Sequence, residues 1–453
     1  MRRRILLAAV LIVAGACAGG SAAQTPQVVH PSLDDALAPV LHPTVDDALA
    51  QGFDLVVGRA PFVARLWVDN ADGYRAHWDL DGEGATDAPG SRPRQVRFAR
   101  AGIFHPGVTL SAAGRPDVRL VTRIVVLDAE PLSVPEGRFG VNEDLAADPP
   151  QQLAQELALM KAAGVDWLRL PLRWFWLEPQ RGRYRWDRSD GVVQRADEAG
   201  LRLLAVLGGT PRWSSGLDAA TRGRGAPSDA FAPLDTRDFA AYVWRVVDRY
   251  RGQIAAYELL NEPNSPDHWA PVPNAARFGE LMCAGYLAAK YADPQSAIVL
   301  GGLNGNGLDL GYETPEARDF LKAIYAGPAA RCFDVLAIHP FAHPLEDGGK
   351  VLQTWIDATR HYMAERGDHR PLWVTEIGWS TGASLWGHAP VTEEQQAEWV
   401  RVVYERINGP QKVFWYNFKE NRPDPTDPEH QWGWVRYDLQ PKPAYHAFSD
   451  LKR

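Results

Sequence analysis

Two glutamates in this chain stand where an apolar stretch ends. Glu262 closes one such stretch just before Pro263, and Glu376 closes another shortly before Gly378. A charged side chain at the end of a buried strand is costly unless it faces a cleft. Two carboxylates that share a cleft can act as a proton donor and a nucleophile, which is the chemistry that cleaves glycosidic bonds.

Strand-like and helical segments alternate over the C-terminal 131–453, and this alternation predicts a parallel sheet with helical crossovers. The predicted strands are 139–142, 167–172, 201–207, 255–261, 297–300, 334–339, 372–376 and 412–417. The predicted helices are 151–163, 236–250, 274–291, 317–325, 352–365 and 393–407. Eight such units favour an α/β fold of the (β/α)₈ TIM barrel type. A doubly wound sheet could use the same strands.

Polar and aromatic side chains end most of these strands, and only the barrel explains why. Asn142 ends the first strand, Arg169 lies on the second, Asn261 ends the fourth and His339 the sixth, while Trp415 lies on the eighth. The carboxyl ends of barrel strands meet at one face, where barrel enzymes place their chemistry.

The N-terminus reads as an export signal. Arg2, Arg3 and Arg4 precede an apolar run that is too short to remain as a membrane span, so we predict a signal peptide over 1–23 and an exported protein, periplasmic or extracellular. Cys17 offers the alternative of a lipid anchor. A near repeat follows, and 24–50 is predicted to be a linker or arm.

Short alternating segments over 51–130 predict a small all-β, immunoglobulin-like sandwich. The motif Trp78-Asp79-Leu80-Asp81-Gly82 and the later segment 96–104 resemble a PKD-type module. The acidic run also resembles a calcium loop, but Glu83 and Gly90 stand where an EF-hand needs other residues. We therefore interpret it as a turn in a spacer domain.

The net charge limits the classes of partner that the protein can bind. The 453 residues carry a formal net charge of −8, and removal of the signal peptide makes the charge more negative. This sign argues against a nucleic-acid partner or an anionic membrane surface. Beyond Cys17 only Cys283 and Cys332 remain, and they could form a disulfide in an oxidising compartment or stay as two buried thiols. No motif for a cofactor or a metal is present, and we expect a monomer.

The C-terminal region resembles the clan A glycoside hydrolases, most closely family 39. The resemblance is carried by an ordered set of motifs: Arg169-Leu170-Pro171 with Trp174, Glu178-Pro179-Gln180-Arg181-Gly182, Gly209-Thr210-Pro211-Arg212-Trp213, Leu260-Asn261-Glu262-Pro263, His339-Pro340, Thr375-Glu376-Ile377-Gly378-Trp379 and Phe414-Trp415-Tyr416-Asn417. A lone Asn-Glu-Pro is weak evidence, whereas the ordered set is specific.

The resemblance implies a retaining β-glycosidase that acts on a poly- or oligosaccharide, possibly an exopolysaccharide. It assigns the general acid/base to Glu262 and the nucleophile to Glu376, with Arg169 as the neighbouring cation. Their carboxyl groups should then lie about 5–5.5 Å apart. Glu258, four residues deeper with the same strand parity, is interpreted as a paired barrel carboxylate.

The same resemblance implies the saccharide contacts. Asn261 should bond the 2-hydroxyl of the sugar, His339 should lie near the acid, and Trp415 should form the floor beneath the reacting ring. Trp174 and Trp379 lie at strand ends, where aromatic faces suit stacking on sugars.

One departure from the family concerns Phe341. Members of the clan often carry a tyrosine two residues after the strand-six histidine, and its hydroxyl bonds the nucleophile. Phe341 lacks this hydroxyl. The alternative of a non-catalytic carbohydrate-binding barrel, used in adhesion or polysaccharide export, therefore stays open.

Overall fold

The computed structural model describes residues 27–29, 56–127 and 132–452. Within these ranges it leaves out 67, 69–73, 83–86, 91, 93, 115–116, 133, 216–229, 306–307, 309–318, 342–346 and 384–389. The contacts divide the chain into two compact units that meet in sequence between Leu132 and Ser133. The predicted signal peptide and most of the predicted arm, together with Cys17, lie outside the described residues.

The N-terminal unit is all-β. One sheet pairs Gln27–Val29, Phe62–Leu66 and Arg94–Phe98, and a second pairs Val56–Arg59, Ile124–Leu127 and Gly102–Phe104. A third sheet has the order Ala88–Pro89, Arg75–Asp79, Gly107–Ser111, Val118–Val121. A small apolar core that includes Trp78, Phe98 and Leu110 holds these sheets together. The all-β prediction is confirmed, and the PKD-type identity stays a prediction.

The acidic motif of this unit makes a local turn. Asp79 accepts a hydrogen bond from the Gly82 amide at 2.8 Å and pairs with Arg119 at 3.2 Å. Asp81 and Asp87 bring further carboxylate oxygens within 4.8 Å of Asp79. Exposed carboxylates commonly cluster without an ion, and the turn bonds account for part of this geometry.

The C-terminal unit contains a parallel sheet whose strands we label β1 to β8. They are β1 (Phe139–Asn142), β2 (Trp167–Arg173), β3 (Arg202–Gly208), β4 (Ala256–Leu259), β5 (Ala297–Leu300 continued by Leu303–Asn304), β6 (Leu336–His339), β7 (Leu372–Ile377) and β8 (Lys412–Trp415). The order β5-β4-β3-β2-β1-β8-β7-β6 returns to the second segment of β5, so the sheet closes. This closure confirms the (β/α)₈ barrel and excludes the doubly wound sheet.

A helix follows each strand. These helices are α1 (Pro150–Ala163), α2 (Asp187–Glu198), α3 (Thr236–Arg249), α4 (Ala275–Ala292), α5 (Phe320–Ala326), α6 (Lys350–Ala364), α7 (Glu393–Arg401, extended by a π-helical turn Val402–Arg406) and α8 (Pro443–Leu451). A helical turn, Trp174–Leu177, separates β2 from α2. Within the described part of the chain, no helix has the length and apolar character needed to cross a bilayer.

Large side chains fill the barrel interior at its amino-terminal end. Trp167, Trp373 and Phe414 pack edge to face or tilted, with centroids 5.6–6.4 Å apart. The strands β4, β6, β7 and β8 and the first segment of β5 are buried at every position, as expected where helices cover the outside of a parallel sheet. The bottom of the barrel is therefore a packed core, and the polar residues gather at the opposite end.

The seam between β5 and β6 is where the barrel closes. Val299 and Val335 form a single bridge, and Leu303 and Asn304 then pair with Ile338 and His339. A disulfide lies beside this seam, because Cys283 belongs to α4 and Cys332 directly precedes the segment that leads into β6. The pairing that the sequence left open is thus a disulfide in this structure.

Candidate active site

The chain leaves β4 through two residues in the left-handed region of backbone space. Leu260 has φ 69° and Glu262 has φ 43°. Such a conformation costs about 1–3 kcal/mol for a residue other than glycine, and it concentrates at functional sites. Hydrogen bonds to the backbone hold the turn, with the Glu262 amide donating to the Gly302 carbonyl at 3.0 Å and Ser265 donating to the Glu262 carbonyl at 2.9 Å.

The carboxylate of Glu262 is buried and has three polar neighbours. Oε1 lies 2.8 Å from His339 Nδ1. Oε2 accepts a hydrogen bond from Asn304 Nδ2 at 3.3 Å and lies 3.3 Å from His268 Nε2. Because the His339 side chain is fully buried and that of His268 is 45% exposed, Oε2 is the oxygen on the open side.

Glu376 reaches the same place from β7. One of its oxygens accepts a charge-assisted hydrogen bond from Arg169 Nη1, and the other lies 3.9 Å from His339 Nδ1. Oxygens of Glu262 and Glu376 and a ring nitrogen of His339 all lie within 4.8 Å of one another. Strand ends β4, β6 and β7 therefore deliver two carboxylates and one imidazole to a single point.

Arg169 on β2 organises this end of the barrel. Its Nε and Nη2 donate to the two oxygens of Glu258 at 3.0 and 2.7 Å, and Nη2 also donates to Asn261 Oδ1 at 2.7 Å. Its Nη1 donates to Asn142 Oδ1 at 2.7 Å as well as to Glu376. All five guanidinium hydrogens are thus used, so the group cannot rotate without losing bonds. Burial lowers the pKa of Arg169, but Glu258 and Glu376 outweigh this effect and raise it.

His339 is held neutral. Burial lowers its pKa to about 4, and its second ring nitrogen lies 2.9 Å from the Thr375 hydroxyl. The ring fits only because residue 302 is glycine, since a Cβ there would come within 2.0 Å of His339 Nε2. The Gly302 amide also donates to Glu258 Oε1 at 3.0 Å. Gly302 therefore joins the turn of β5 to the Glu258 carboxylate and to the backbone of Glu262.

Burial raises the pKa of both paired carboxyls. For Glu262 the charges of His268 and Arg169 oppose this rise, and for Glu376 those of His339 and Arg169 oppose it. Two carboxylates this close cannot both ionise easily, so one proton tends to remain on the pair. Only Glu376 contacts the Arg169 guanidinium directly, so the negative charge is better stabilised on Glu376 and the proton on Glu262.

The three tryptophans that were predicted to contact the sugar are buried in the structure. Trp174, Trp379 and Trp415 expose 0%, 1% and 0% of their surface. Trp174 stacks on Tyr242 and donates to Glu178, and Trp379 stacks on Trp399 with centroids 3.9 Å apart. These three indoles pack beneath the cleft, so the structure does not present them to a sugar as expected.

Tyr416 and Phe341 are two aromatic residues whose rings a ligand could contact. Both are partly exposed, and each ring contacts Trp432 with centroids 5.8 and 5.6 Å apart. Burial and then Glu376 raise the pKa of the Tyr416 hydroxyl well above its ordinary value, so this phenol lies within electrostatic reach of the carboxylate pair. The sequence prediction chose the neighbouring Trp415, whose indole is buried against Trp379 and Trp434.

Sequence reasoning also missed His268, Asn304, Thr375 and Gly302. His268 lies six residues after Glu262 in a loop, and Asn304 is positioned by two bonds between its backbone and the Asn264 amide, at 2.8 and 2.9 Å. Loop residues give no periodic signal, so only the fold reveals that they meet. The motif Gly301-Gly302 was the one available hint of a close backbone approach.

The same three groups could in principle bind a cation. Glu262, His339 and Glu376 offer two carboxylate oxygens and one imidazole nitrogen, a donor set that divalent transition metals accept. Arg169 already neutralises Glu376, however, and His339 Nδ1 is already engaged by Glu262. A metal would therefore have to displace existing bonds.

Comparisons with known proteins find similarity to glycoside hydrolases. The family model of the family 42 β-galactosidases matches residues 147–216, the stretch from α1 to just beyond β3. No curated protein matches the sequence. The family match covers a minor part of the chain, so the comparison of whole structures carries more of the argument.

Three solved structures illustrate the likeness. A family 39 glycoside hydrolase from the gut symbiont Bacteroides cellulosilyticus WH2 has a TM-score of 0.52 and 20% identity, over 88% of this chain and 81% of that chain. The family 39 enzyme from Xanthomonas axonopodis pv. citri has a TM-score of 0.53 and 18% identity, over 72% and 68%. A family 5 enzyme from Streptomyces cattleya, solved with GlcNAc, has a TM-score of 0.52 and 19% identity, over 71% and 80%. At these identities the likeness shows the fold, a (β/α)₈ barrel, which these three glycoside hydrolases share.

Proposed function

We propose that this protein is a retaining β-glycosidase that hydrolyses an oligo- or polysaccharide. The observation that carries the proposal is the separation within the carboxylate pair, with oxygens of Glu262 and Glu376 within 4.8 Å. Inverting enzymes leave about 6.5–9.5 Å between the carboxyl groups for a water molecule, whereas retaining enzymes need about 5–5.5 Å for direct attack. The short separation supports the second geometry.

In the first step Glu376 attacks the anomeric carbon while the glycosidic C–O bond breaks. The departing oxygen takes the proton of Glu262, and a covalent glycosyl-enzyme remains. In the second step Glu262 removes a proton from water, the water oxygen attacks the anomeric carbon, and Glu376 leaves as a carboxylate. Two inversions give net retention, and both glutamates return to their starting states.

The surroundings of Glu262 support its role as acid/base. Burial raises its pKa, which keeps the proton available closer to neutral pH. When His339 carries its hydrogen on Nδ1, it donates to Glu262 Oε1, and the Thr375 hydroxyl donates to Nε2. Because Oε1 then accepts the hydrogen of His339 Nδ1, the carboxyl proton of Glu262 lies on Oε2, the oxygen on the open side.

The surroundings of Glu376 support its role as nucleophile. Arg169 holds one of its oxygens and is itself fixed by four other bonds, so the carboxylate is oriented before substrate arrives. Phe341 cannot give the additional hydroxyl contact found in related enzymes. The phenol of Tyr416 is the group of the described residues best placed to supply a hydroxyl near Glu376.

Export fits this function. The predicted signal peptide and the disulfide between Cys283 and Cys332 both suit an oxidising compartment, where polysaccharides are met. The negative net charge favours a neutral partner or one recognised through local positive charge. We propose that the protein acts as a monomer without a cofactor, and that the all-β unit serves as a spacer.

The test uses Glu262→Ala and Glu376→Ala with azide. Loss of the acid leaves substrates with activated leaving groups able to form the glycosyl-enzyme, and azide, which needs no base, should restore turnover with a β product. Loss of the nucleophile should stop formation of the intermediate, and azide should attack from the opposite face to give the α product. The anomeric configuration, measured by NMR, distinguishes the two variants.

The matched control is Glu178→Gln, which changes another buried carboxylate. Glu178 bonds Trp174 and Tyr184 away from the pair, and its amide analogue should keep wild-type stereochemistry and rate. Unchanged activity in both alanine variants would reject the assignment. A wild type that binds glycans but cleaves none would favour the non-catalytic barrel.

A further inference from the structure

A second cavity lies at the same end of the barrel, outside the carboxylate site. It has a volume of about 320 Å³, and its lining includes Arg173, Phe175, Trp176, Arg185, Asp187 and Arg188. These residues come from the end of β2, the helical turn that follows it and the first residues of α2. Carboxyl ends of barrel strands bind ligands, so this position suits recognition rather than stability.

Trp176 gives the cavity an aromatic face. The indole is 41% exposed, an unusual state in a chain whose other tryptophans at the strand ends are buried. Phe175 packs edge to face against it at 5.4 Å, and the Arg173 guanidinium lies 5.3 Å from its ring centre. Arg173 is in turn fixed by Asp144 at 2.9 Å. The ring is therefore held in place with part of its surface open.

Two arginines that line the same cavity have no partner among the described residues. Within that part of the chain neither the Arg185 nor the Arg188 side chain makes a hydrogen bond or an ion pair, and both are exposed. The one acidic group in the lining, Asp187, does not balance two guanidiniums. In a protein with a net charge of −8, this is a local site of positive charge.

The carboxylate site and this cavity share strand β2, which carries Arg169 in the first and Arg173 in the second. Arg169 bonds Asn142 at 2.7 Å, and Arg173, four residues further along the same face of β2, pairs with Asp144. At a rise of about 3.3 Å per residue the two arginines are roughly 13 Å apart along the strand. A ring in the cavity would thus lie beyond the ring that is attacked.

We propose that this cavity is an outer subsite for a sugar ring that carries a carboxylate. The Trp176 face would cover the apolar face of the ring, and Arg185 and Arg188 would bind the carboxylate, since guanidinium groups match its planar geometry. The inference rests on the proposed glycosidase function and names its substrate class, a β-linked saccharide with acidic sugar units.

The binding test uses the full chain with Glu376→Gln, so that hydrolysis does not interfere. The probes are methyl β-glucuronide and methyl β-glucoside, which differ only in the carboxylate, measured by calorimetry at low and high salt. The acidic probe should bind about tenfold more tightly than the neutral one, and salt should reduce the difference. Trp176→Ala and the pair Arg185→Ala with Arg188→Ala should each lose about tenfold in affinity.

Arg183→Ala is the matched control, because Arg183 is an exposed arginine of the same loop that does not line the cavity. It should bind both probes as the parent does. Equal affinity for the two probes, no detectable binding of either, or full affinity in Trp176→Ala would overturn the proposal. Equal competition by inorganic sulfate would show a plain anion site and reject the saccharide.

Turnover separates this proposal from the one on which it rests. With the wild-type pair of glutamates present, Trp176→Ala should lower cleavage of an acidic polymer about tenfold, whereas Arg183→Ala should cleave the polymer at the parent rate. Small nitrophenyl glycosides, which do not extend to the cavity, report turnover by the glutamate pair of the parent alone. Absence of nitrophenyl turnover in the parent would instead count against the glycosidase function, whatever the binding result.

Discussion

The barrel contains two buried clusters of one cation with several carboxylates, and they differ in how the cation is used. In the Arg169 cluster, Arg169 contacts Glu258 and Glu376, and Glu262 lies next to them. In the Lys419 cluster, Lys419 contacts Glu156 and Asp148, and its backbone amide donates to Glu143. Both clusters hold more negative than positive groups.

The Lys419 cluster joins separate elements. Glu156 belongs to α1, Glu143 follows β1 and Lys419 follows β8, so the ammonium and the backbone amide of Lys419 together join the first and last strands of the barrel to a helix. Glu156 is fully buried, and its Oε2 has no hydrogen-bond partner in the described structure. Burial raises the pKa of Glu143 well above its usual range, and Glu156 adds to this effect.

The Arg169 cluster instead leaves acceptors facing the cleft. Its guanidinium uses all its hydrogens, while Glu262 Oε2 and the second oxygen of Glu376 stay next to open space. The difference shows that a buried ion cluster becomes a candidate active site when its carboxylate oxygens can be reached from the cleft and lie at a distance suited to the reaction. Excess negative charge by itself does not distinguish the two.

The largest effect is expected from Arg169→Lys. Lysine keeps the charge but has three hydrogens instead of a planar set of five, so it cannot bind Glu258, Glu376 and both amides together. We expect kcat/KM to fall about a thousandfold, roughly 4 kcal/mol, as when an electrostatic donor is lost. Kinetics on activated substrates measures this. Near-normal activity would mean that charge alone is sufficient, which would break the distinction between the clusters.

Lys419→Met should act on stability alone. Removal of the ammonium leaves the buried Glu156 and the partly buried Asp148 without their cation, with the Gln152 amide as a remaining shared donor, and we expect a loss of about 3 kcal/mol in the free energy of unfolding. Urea unfolding measures this loss, and kcat at low temperature should stay unchanged. A fall in kcat without a fall in stability would show that the Lys419 cluster is also functional.

Glu262→Gln should stabilise the protein, and the gain should depend on pH. Because burial raises the pKa of Glu262, the wild type loses stability as pH rises from the ordinary carboxyl range through the raised value. Glutamine does not titrate. The free energy of unfolding of the variant should therefore equal that of the wild type near pH 4 and exceed it by about 1 kcal/mol near pH 8, as measured by thermal unfolding. The opposite trend would contradict the raised pKa.

His268→Ala should give the smallest change. Loss of one contact to Glu262 Oε2 should lower kcat/KM about fivefold for substrates with poor leaving groups, the equivalent of about 1 kcal/mol. Activated substrates, which need little protonation, should be unaffected. His268→Gln, which can place a polar atom near the same position, is the control and should recover part of the loss. An equal effect on both substrate types would assign His268 to structure.

The strand ends could be predicted from sequence because β-strands carry their own signal. Phe139–Asn142 and Ala297–Leu300 have the predicted bounds, and the predicted position of Glu376 in the strand before Gly378 agrees with β7. Helices α2 and α8 were not predicted, because α2 begins with charged residues and α8 follows a long loop. Packing against the barrel stabilises both.

The sequence pattern could not decide which of two neighbouring residues is exposed. Trp174 and Trp176 lie on one helical turn, and only the turn direction decides that the first is buried and the second exposed. Trp415 and Tyr416 follow each other at the end of β8, and alternation alone cannot say which one faces the cleft. Loop residues such as His268 were unpredictable for the same reason, since their position depends on the folded neighbours.

The disulfide has a consequence for how the barrel opens. The pairing between β5 and β6 is short, and the disulfide Cys283–Cys332 lies beside this seam, where it links α4 to the segment that leads into β6. A bond that closes a loop of 49 residues should contribute about 4 kcal/mol, and reduction should release that amount at the seam first. Amide hydrogen exchange should therefore quicken in β5 and β6 of the reduced protein before it changes in β1 and β2. Gly302 and Asn304 lie on this seam and contact Glu262. Local opening of the seam would therefore disturb the Glu262 carboxylate before the rest of the barrel unfolds.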